Sequence, residues 1–388
     1  MLNKLLNKKL VEKAYVVSLV VFVLSSIMMS YFVYSNTMDT TVLRFARYAA
    51  LGIAIFKILG IDCWTYSRRR AVISIVTLVI LMISGFVSGN RILLWTAIMI
   101  IAFYRVDFSS VLKNLFVWEI MLVIIIILLS VIGIVPDRVF PRDGQVVRHS
   151  LGFKYSTYLP LLFLGLATIH LYLRRSRIGL IECVVILFAS FIIYELTDTR
   201  LEPALVVCLT LSIYLYNRFG NDTFKKYIFK ISLIVVPFAI VVSLLSVTFF
   251  DSESDFWKKI NSFTSNRIGL SSKVMNEYGI TFFGNDISWV GLSNIYEGEG
   301  SYSEYNAVDN AYLRILVQFG AVAMMLFVLS QSVMIAFARE RGDYRLQLIL
   351  IMFVIFSILN PHTYELAFCP FLIMLGDLNK CRDEIEGK

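Results

Sequence analysis

Charged side chains are scarce in this sequence. Asp, Glu, Lys and Arg make up 16% of its 388 residues, where a soluble domain carries about 25%, so an ordinary water-soluble globule is excluded. Metal and disulfide patterns are missing too. The five cysteines, Cys63, Cys183, Cys208, Cys369 and Cys381, have no ligand spacing, and neither a disulfide framework nor a metal site is indicated. No P-loop, Rossmann glycine pattern, HExxH or GxSxG occurs, which leaves nucleotide and zinc chemistry without support. The alternation of a membrane barrel is absent. No cofactor is expected.

What is present is apolar and comes in blocks. The chain is 58% hydrophobic with a mean hydropathy of +0.74, in runs of roughly 15–24 residues separated by short charged strings. Runs of that length cross a hydrocarbon core of about 30 Å as helices, because backbone groups in lipid must be satisfied within their own segment. The expected spans lie near 14–35, 42–59, 71–87, 91–104, 114–134, 155–173, 178–197, 203–217, 231–250, 309–336, 346–359 and 364–378. About 12 transmembrane helices in an all-α polytopic protein follow, as a single integral membrane domain over 1–388. The opening MLNKLLNKKLVEK has the look of a signal sequence but lacks an A-x-A-like cleavage site, so a retained first helix is expected.

The net charge of +8 reads as topology rather than as a nucleic-acid footprint, since the basic strings flank the spans. An even span count places both termini on one side, and Lys4, Lys8, Lys9 and Lys13 make that side the cytoplasm. With Arg44, Arg47, Lys57 and Arg91, near span ends, counted with the side they adjoin, 23 of the 36 Lys and Arg fall inside and 12 outside, leaving Arg314 deeper within a span. Outside lie Val135–Lys154 and the long 251–308 segment, a large extracytoplasmic loop.

Positive charge is normally depleted outside, which draws attention to Arg138, Arg142, Arg148, His149, Lys154, Arg200, Arg267 and Lys273. Guanidinium groups present paired donors to phosphate oxygens and stay charged when partly desolvated, so a diphosphate-linked or other anionic substrate would suit several of them together. A lone external arginine is explained as well by a nearby acid or a lipid headgroup. Arg314 differs. It sits roughly 8 Å below Asp309 at 1.5 Å per residue, and an ionisable group within a span usually faces a cavity. Asn310, Arg314 and Gln318 share its helix face at i, i+4, i+8, which suggests either a polar cavity or hydrogen-bonded helix packing.

Within the loop, Asn261 to Tyr278 predicts one short amphipathic helix with Leu270, Val274 and Tyr278 aligned and Gly279 as its stop. The stretch after it is Gly-rich, acidic and aromatic. Trp289, Tyr296, Tyr302 and Tyr305 could stack on sugar faces or anchor the loop at the bilayer interface. Glu119 and Glu182 lie in spans and could pair within the bundle. His170 reads as structural, and His362, in Asn360-Pro361-His362, as a turn residue before a site residue.

Four segments together resemble a known family. Arg148-His149-Ser150-Leu151-Gly152-Phe153 is similar to an R-x-S-L-G-F element of Wzy-type polysaccharide polymerases, and Thr197 to Arg200 to a Thr-x-Arg at the outer end of a middle span. Asn266-Arg267-Ile268-Gly269-Leu270 with Tyr278 to Gly284 forms the third element. Val308-Asp309-Asn310-Ala311-Tyr312-Leu313 leading to Phe319-Gly320 forms the fourth. The match is to capsule and exopolysaccharide polymerases and, more distantly, to O-antigen ligases, over about residues 140–325. Ligases typically carry His where this chain has Asp309, which weighs against ligase activity.

The resemblance implies a GT-C-like, metal-independent glycosyltransferase of the bacterial cytoplasmic membrane. It would join oligosaccharide repeat units carried on undecaprenyl diphosphate, with a chain-length regulator and a flippase as further partners. It implies Arg148, Arg200, Arg267 and Arg314 for the diphosphate and Asp309 as base or acceptor-positioning group. Asn310, Lys273, Tyr278, Trp289, Tyr305 and Tyr312 would contact substrate. An O-antigen ligase-like transferase, a lipid-linked sugar flippase or transporter, and a membrane scaffold are the rival readings. The concentration of polar groups at one face favours an enzyme.

Overall fold

A computed structural model describes residues 2–33, 39–142, 146–174, 178–296, 301 and 304–378. The protein is 75% helix and 3% strand, an all-α fold. In chain order the elements are α1 (Leu2–Ser30), α2 (Thr41–Lys57), α3 (Arg68–Val87), α4 (Ile92–Ala102), α5 (Phe108–Val131), β1 (Val139–Arg142), β2 (Val146–His149), α6 (Tyr158–Arg174), α7 (Leu180–Thr197), α8 (Leu201–Phe219) and α9 (Asp222–Thr248). They continue with α10 (Asp255–Phe263), α11 (Arg267–Tyr278), α12 (Leu292–Tyr296), α13 (Ala311–Gln318), α14 (Ala321–Glu340) and α15 (Tyr344–Leu359).

Among the described residues, six helices are long and apolar enough to cross a membrane: Leu10–Ser30, Arg68–Val87, Phe108–Val131, Leu180–Thr197, Asp222–Thr248 and Ala321–Glu340. Helices α4, α6 and α15 are apolar but have only 11, 17 and 16 residues. At 1.5 Å per residue they fall short of, or barely approach, the hydrocarbon thickness.

The chain divides into two compact units. The first comprises Met1–Arg68, Ile98–Lys225 and Leu366–Lys388, the second Arg69–Ala97 and Lys226–Glu365. In the first, α1 packs on α2 and α5, and α6 on α5, α7 and α8. The predicted span 364–378 is here a run of turns and a 3-10 helix, Pro370–Gly376. Pro370 has no N–H to donate and its ring clashes with the preceding turn of an α-helix. Gly376 lies so close to Ile100 that any Cβ would overlap its carbonyl.

The same unit buries an ion pair. α2 passes into a π-helical turn, Ile58–Asp62, which brings Asp62 Oδ2 to 2.5 Å from Lys57 Nζ, both side chains 5% exposed or less. Lys57 also donates to the Ala102 and Tyr104 carbonyls at 2.8 Å. An ammonium has three N–H groups, and three acceptors meet them.

In the second unit the predicted 309–336 span is two helices, broken at Phe319–Gly320. Gly320 has φ +92 and ψ 168, a region essentially restricted to glycine. The break exposes carbonyls at the end of α13 and N–H groups at the start of α14, and the segment Thr281–Asn285 answers both. Asn285 donates its backbone N–H to the Gln318 carbonyl at 3.1 Å and its side-chain amide to that of Val317 at 2.9 Å. Ser84 of α3 donates to Phe319 at 2.7 Å. In the other direction, Ala321 and Val322 donate to the Thr281 and Phe282 carbonyls. Gly284, at φ +102, faces Gln318 so closely that a Cβ would lie 2.0 Å from its oxygen, and one on Gly320 would lie 2.4 Å from the oxygen of Phe282.

The expected Asn261–Tyr278 helix is likewise two, α10 and α11, separated by Ser265 and Asn266 at φ +55 and +63. Asn261 holds the corner, its Oδ1 accepting the Gly269 N–H at 2.9 Å. Gly279 ends α11 at φ +68 as expected, donating to Met275. Val274 packs with Val247, Ile287, Val308, Leu313 and Val317, and Tyr278 and Trp289 lie against that cluster. The loop is thus built into the core of its unit.

Substituting Gly320→Ala or Gly284→Ala should destabilise the protein by at least about 2 kcal/mol, through strained φ and backbone overlap. Gly52→Ala, in the interior of α2 with nothing within 4 Å of a Cβ, should be neutral or stabilising by up to about 1 kcal/mol. Thermal unfolding in detergent reads both, and an unshifted Gly320→Ala midpoint would contradict the assignment of the joint.

Candidate functional site

In the second unit, the entrance to α13 gathers several of the predicted site residues. Asn310 caps the helix, its Oδ1 accepting the Leu313 N–H at 3.1 Å, while its amide donates to Ser243 Oγ of α9 at 2.8 Å. This fixes Asp309, the residue just before the cap. Asp309 Oδ2 is 3.0 Å from Arg267 Nε, with both side chains about one-third exposed (34% and 36%). Arg267 opens α11 after the left-handed Asn266, and its Nη1 donates to the Leu359 carbonyl at the end of α15, at 2.9 Å. One planar fork therefore holds α11, the start of α13 and the end of α15.

Arg314, one turn into α13, stacks over the ring of Trp289 at 4.4 Å. Its guanidinium faces the phenol of Tyr364, and Tyr364 meets Phe319 edge to face at 6.0 Å. Arg314 Nε, Trp289 Nε1 and Gln318 Oε1 are buried without a hydrogen-bond partner among the described residues. Beside them, the turn after α15 is tightly fixed. His362 N–H donates to Asn360 Oδ1 at 2.9 Å, His362 Nδ1 is 2.8 Å from Glu365 Oε1, and Ser357 and Thr363 hydroxyls are 2.7 Å apart.

In the first unit, Arg148 and Arg200 meet the end of α7. Arg148 Nε donates to the Thr197 carbonyl at 3.3 Å and Nη1 to the Tyr155 hydroxyl at 3.4 Å, with the guanidinium over the Tyr155 ring at 5.3 Å. Asp198 ends the helix in the left-handed region, at φ +43, and lies 3.8 Å from Arg200 Nε, whose side chain is 66% exposed. A cation at a helix C-terminus meets carbonyls that have no intrahelical partner.

The Arg148–Phe153 element is a turn with its own logic. Asp137 Oδ1 accepts the Ser150 and Leu151 N–H groups, and Asp137 Oδ2 lies 2.5 Å from His149 Nδ1. Leu151 and Gly152 both have positive φ, and a Cβ on Gly152 would lie 2.9 Å from Ile126.

Not every expected contact residue faces a ligand. Tyr312 is fully buried and its hydroxyl donates to Gln331 Oε1 at 2.7 Å, so it is a core residue and not a sugar contact. Asn310 serves the helix cap and interhelix packing. Trp289 presents a ring face to Arg314. Lys273 is exposed, and Tyr305 and Tyr278 are half-buried; burial, then the adjacent Glu277, pushes the Tyr278 phenol up. Tyr302 and Cys381 lie outside the described residues, as does the Tyr296 side chain. Glu182 pairs with Arg174 at 2.5 Å, whereas neither carboxyl oxygen of buried Glu119 has a hydrogen-bond partner among the described residues. The His362–Glu365 pair carried no signal beyond an i, i+3 spacing.

Arg267 and Asp309 should be energetically coupled. A double-mutant cycle of Arg267→Ala and Asp309→Asn should give about 1 kcal/mol of non-additivity in unfolding. Arg267→Lys should not restore it, since a single ammonium cannot serve two acceptors with the reach of a fork. Strict additivity would show that the pair is incidental. Comparison with known proteins returns no match to this chain, whether among family models, curated proteins or solved structures.

Proposed function

We propose that the protein polymerises repeat units carried on undecaprenyl diphosphate into a capsular or exopolysaccharide, at the outer face of a bacterial cytoplasmic membrane. The observation that carries this reading is the entrance to α13. There a one-third-exposed arginine–carboxylate pair, Arg267 and Asp309, shares a helix end with Arg314. The resemblance of four segments to Wzy-type polymerases supports the same reaction. In this reading the fold is GT-C-like with about twelve membrane crossings, both termini are cytoplasmic, and the 251–308 segment lies outside.

The chemistry follows from the groups available. An acceptor hydroxyl on the incoming unit attacks the anomeric carbon of the growing chain. The bond from that carbon to the phosphate oxygen breaks, and the lipid diphosphate departs with the electron pair. Negative charge develops on that leaving group, and preorganised donors aimed at it lower the barrier. Arg267 and Arg314 supply such donors at the entrance to α13, and the family resemblance assigns Arg148 and Arg200 to the diphosphate as well. Asp309, fixed by Arg267 and the Asn310 cap, orients the acceptor. A chain-length regulator and a flippase are the expected partners.

Complementation of a polymerase-null strain tests the proposal. Alanine at Arg267 or Arg314 should abolish long polymer while single repeat units still reach the surface. A ligase would instead leave the final acceptor bare, and a flippase would strand lipid-linked units inside. Persistence of full-length polymer with all four arginines replaced would overturn the proposal.

A further inference from the structure

We infer that α10 lies along the membrane surface at the end of α9, with Phe256, Ile260 and Phe263 sunk among the acyl chains of the surrounding phospholipid. This placement does not depend on the polymerase reading. The helix sorts its residues by face. At about 100° per residue, Phe256, Ile260 and Phe263 fall on one side at i, i+4, i+7, and Lys258 falls opposite. No residue of α10 is buried. Phe256 is 64% exposed and Phe263 90%, so the described residues leave the apolar side largely uncovered. The helix cannot cross a bilayer, since its nine residues rise about 14 Å against about 30 Å of hydrocarbon. Its other faces carry Asp255, Lys258 and Lys259. A short charged helix with one large apolar face is the pattern of a segment lying in the interface plane.

The neighbours of α10 put it at that depth. Residues 231–250, which run through the end of α9, include no charge, and Asp251 is the first one after them. A stretch of about 20 apolar residues crosses the hydrocarbon, so Phe250 stands at its edge. Trp257 meets Phe250 edge to face at 6.0 Å. Phe250 in turn lies against α11, where a Cβ on Gly269 would come 3.2 Å from its ring. Asn261, one turn after Trp257, accepts the Gly269 N–H at 2.9 Å. The Trp257–Asn261 side therefore faces the protein, and the side bearing Phe256 and Phe263 turns away from it at the level where α9 leaves the hydrocarbon. Lys259, on the other flank of Phe256, lays its stem along the acyl boundary and keeps its ammonium among the phosphates. Held there, α10 also sets the depth of the corner that leads into Arg267.

Full-length protein with p-benzoylphenylalanine in place of Phe256 or Phe263 tests this placement, in nanodiscs of phosphatidylethanolamine and phosphatidylglycerol. On irradiation the ketone joins a neighbouring C–H carbon. Intact mass should rise by one phospholipid at either position, and should not rise with the same group at Lys258. A covalent dimer, no lipid on either folded variant, or equal adducts at all three positions would overturn the inference. Amide exchange supplies a second measure without the photoprobe. Phe256→Ser with Phe263→Ser should speed exchange of the α10 amides in nanodiscs by at least about tenfold, because the apolar burial that holds the helix is gone. Exchange at the wild-type rate would equally overturn it.

Discussion

The guanidinium of Arg267 is the contact on which the candidate site depends. Its Nε meets Asp309 and its Nη1 meets the Leu359 carbonyl, so one side chain fixes the start of α11, the approach to α13 and the end of α15. Each of these elements then carries something further. α13 presents Arg314 to Trp289, and the turn beyond α15 carries His362, Tyr364 and Glu365. A planar donor set with fixed angles transmits position as well as charge, which a lysine at this place could not do.

Charge elsewhere in the protein is handled in the same manner, by enclosing it with matched acceptors. Lys57 meets Asp62 and two carbonyls at the end of α4. Arg148 meets a helix-terminal carbonyl and an aromatic hydroxyl. Burying a charge is costly unless it is paired and hydrogen-bonded, and these sites meet that condition through backbone groups that helix ends leave open. Several cations that stand out in an apolar sequence are therefore part of how the helices terminate.

Much of the fold was legible in the sequence. Apolar runs mark the helices because lipid forces backbone groups to pair within a segment, and Gly279 marks a helix end because few other residues tolerate its φ. The broken helices were not legible. An apolar run passes through Phe319-Gly320 without a change in composition, and the break is stable only because Asn285 and Thr281, more than thirty residues away, supply its hydrogen bonds. The Ser265–Asn266 corner and the Pro370–Gly376 segment were hidden for the same reason. Of the candidate site, the arginines and Asp309 stood out by charge in an unexpected place. Their partners did not, since Leu359, Thr197 and Ala102 contribute only carbonyls, which no side-chain pattern reports. The burial of Tyr312 was equally invisible, because the polar face drawn through Asn310 and Arg314 says nothing of its neighbour.

The joint between α13 and α14 has a consequence for the rival transport reading. Where a helix is interrupted inside a membrane protein, its loose carbonyls and N–H groups form a natural seat for a travelling ion or an anionic cargo. Here the protein fills that seat with its own chain. The carbonyls of Val317, Gln318 and Phe319 receive Asn285 and Ser84, and the first N–H groups of α14 are taken by Thr281 and Phe282. Two glycines bring the backbones too close for anything to slip between them. The interruption is a sealed weld and not a berth, and this joint offers no open backbone seat for a cargo.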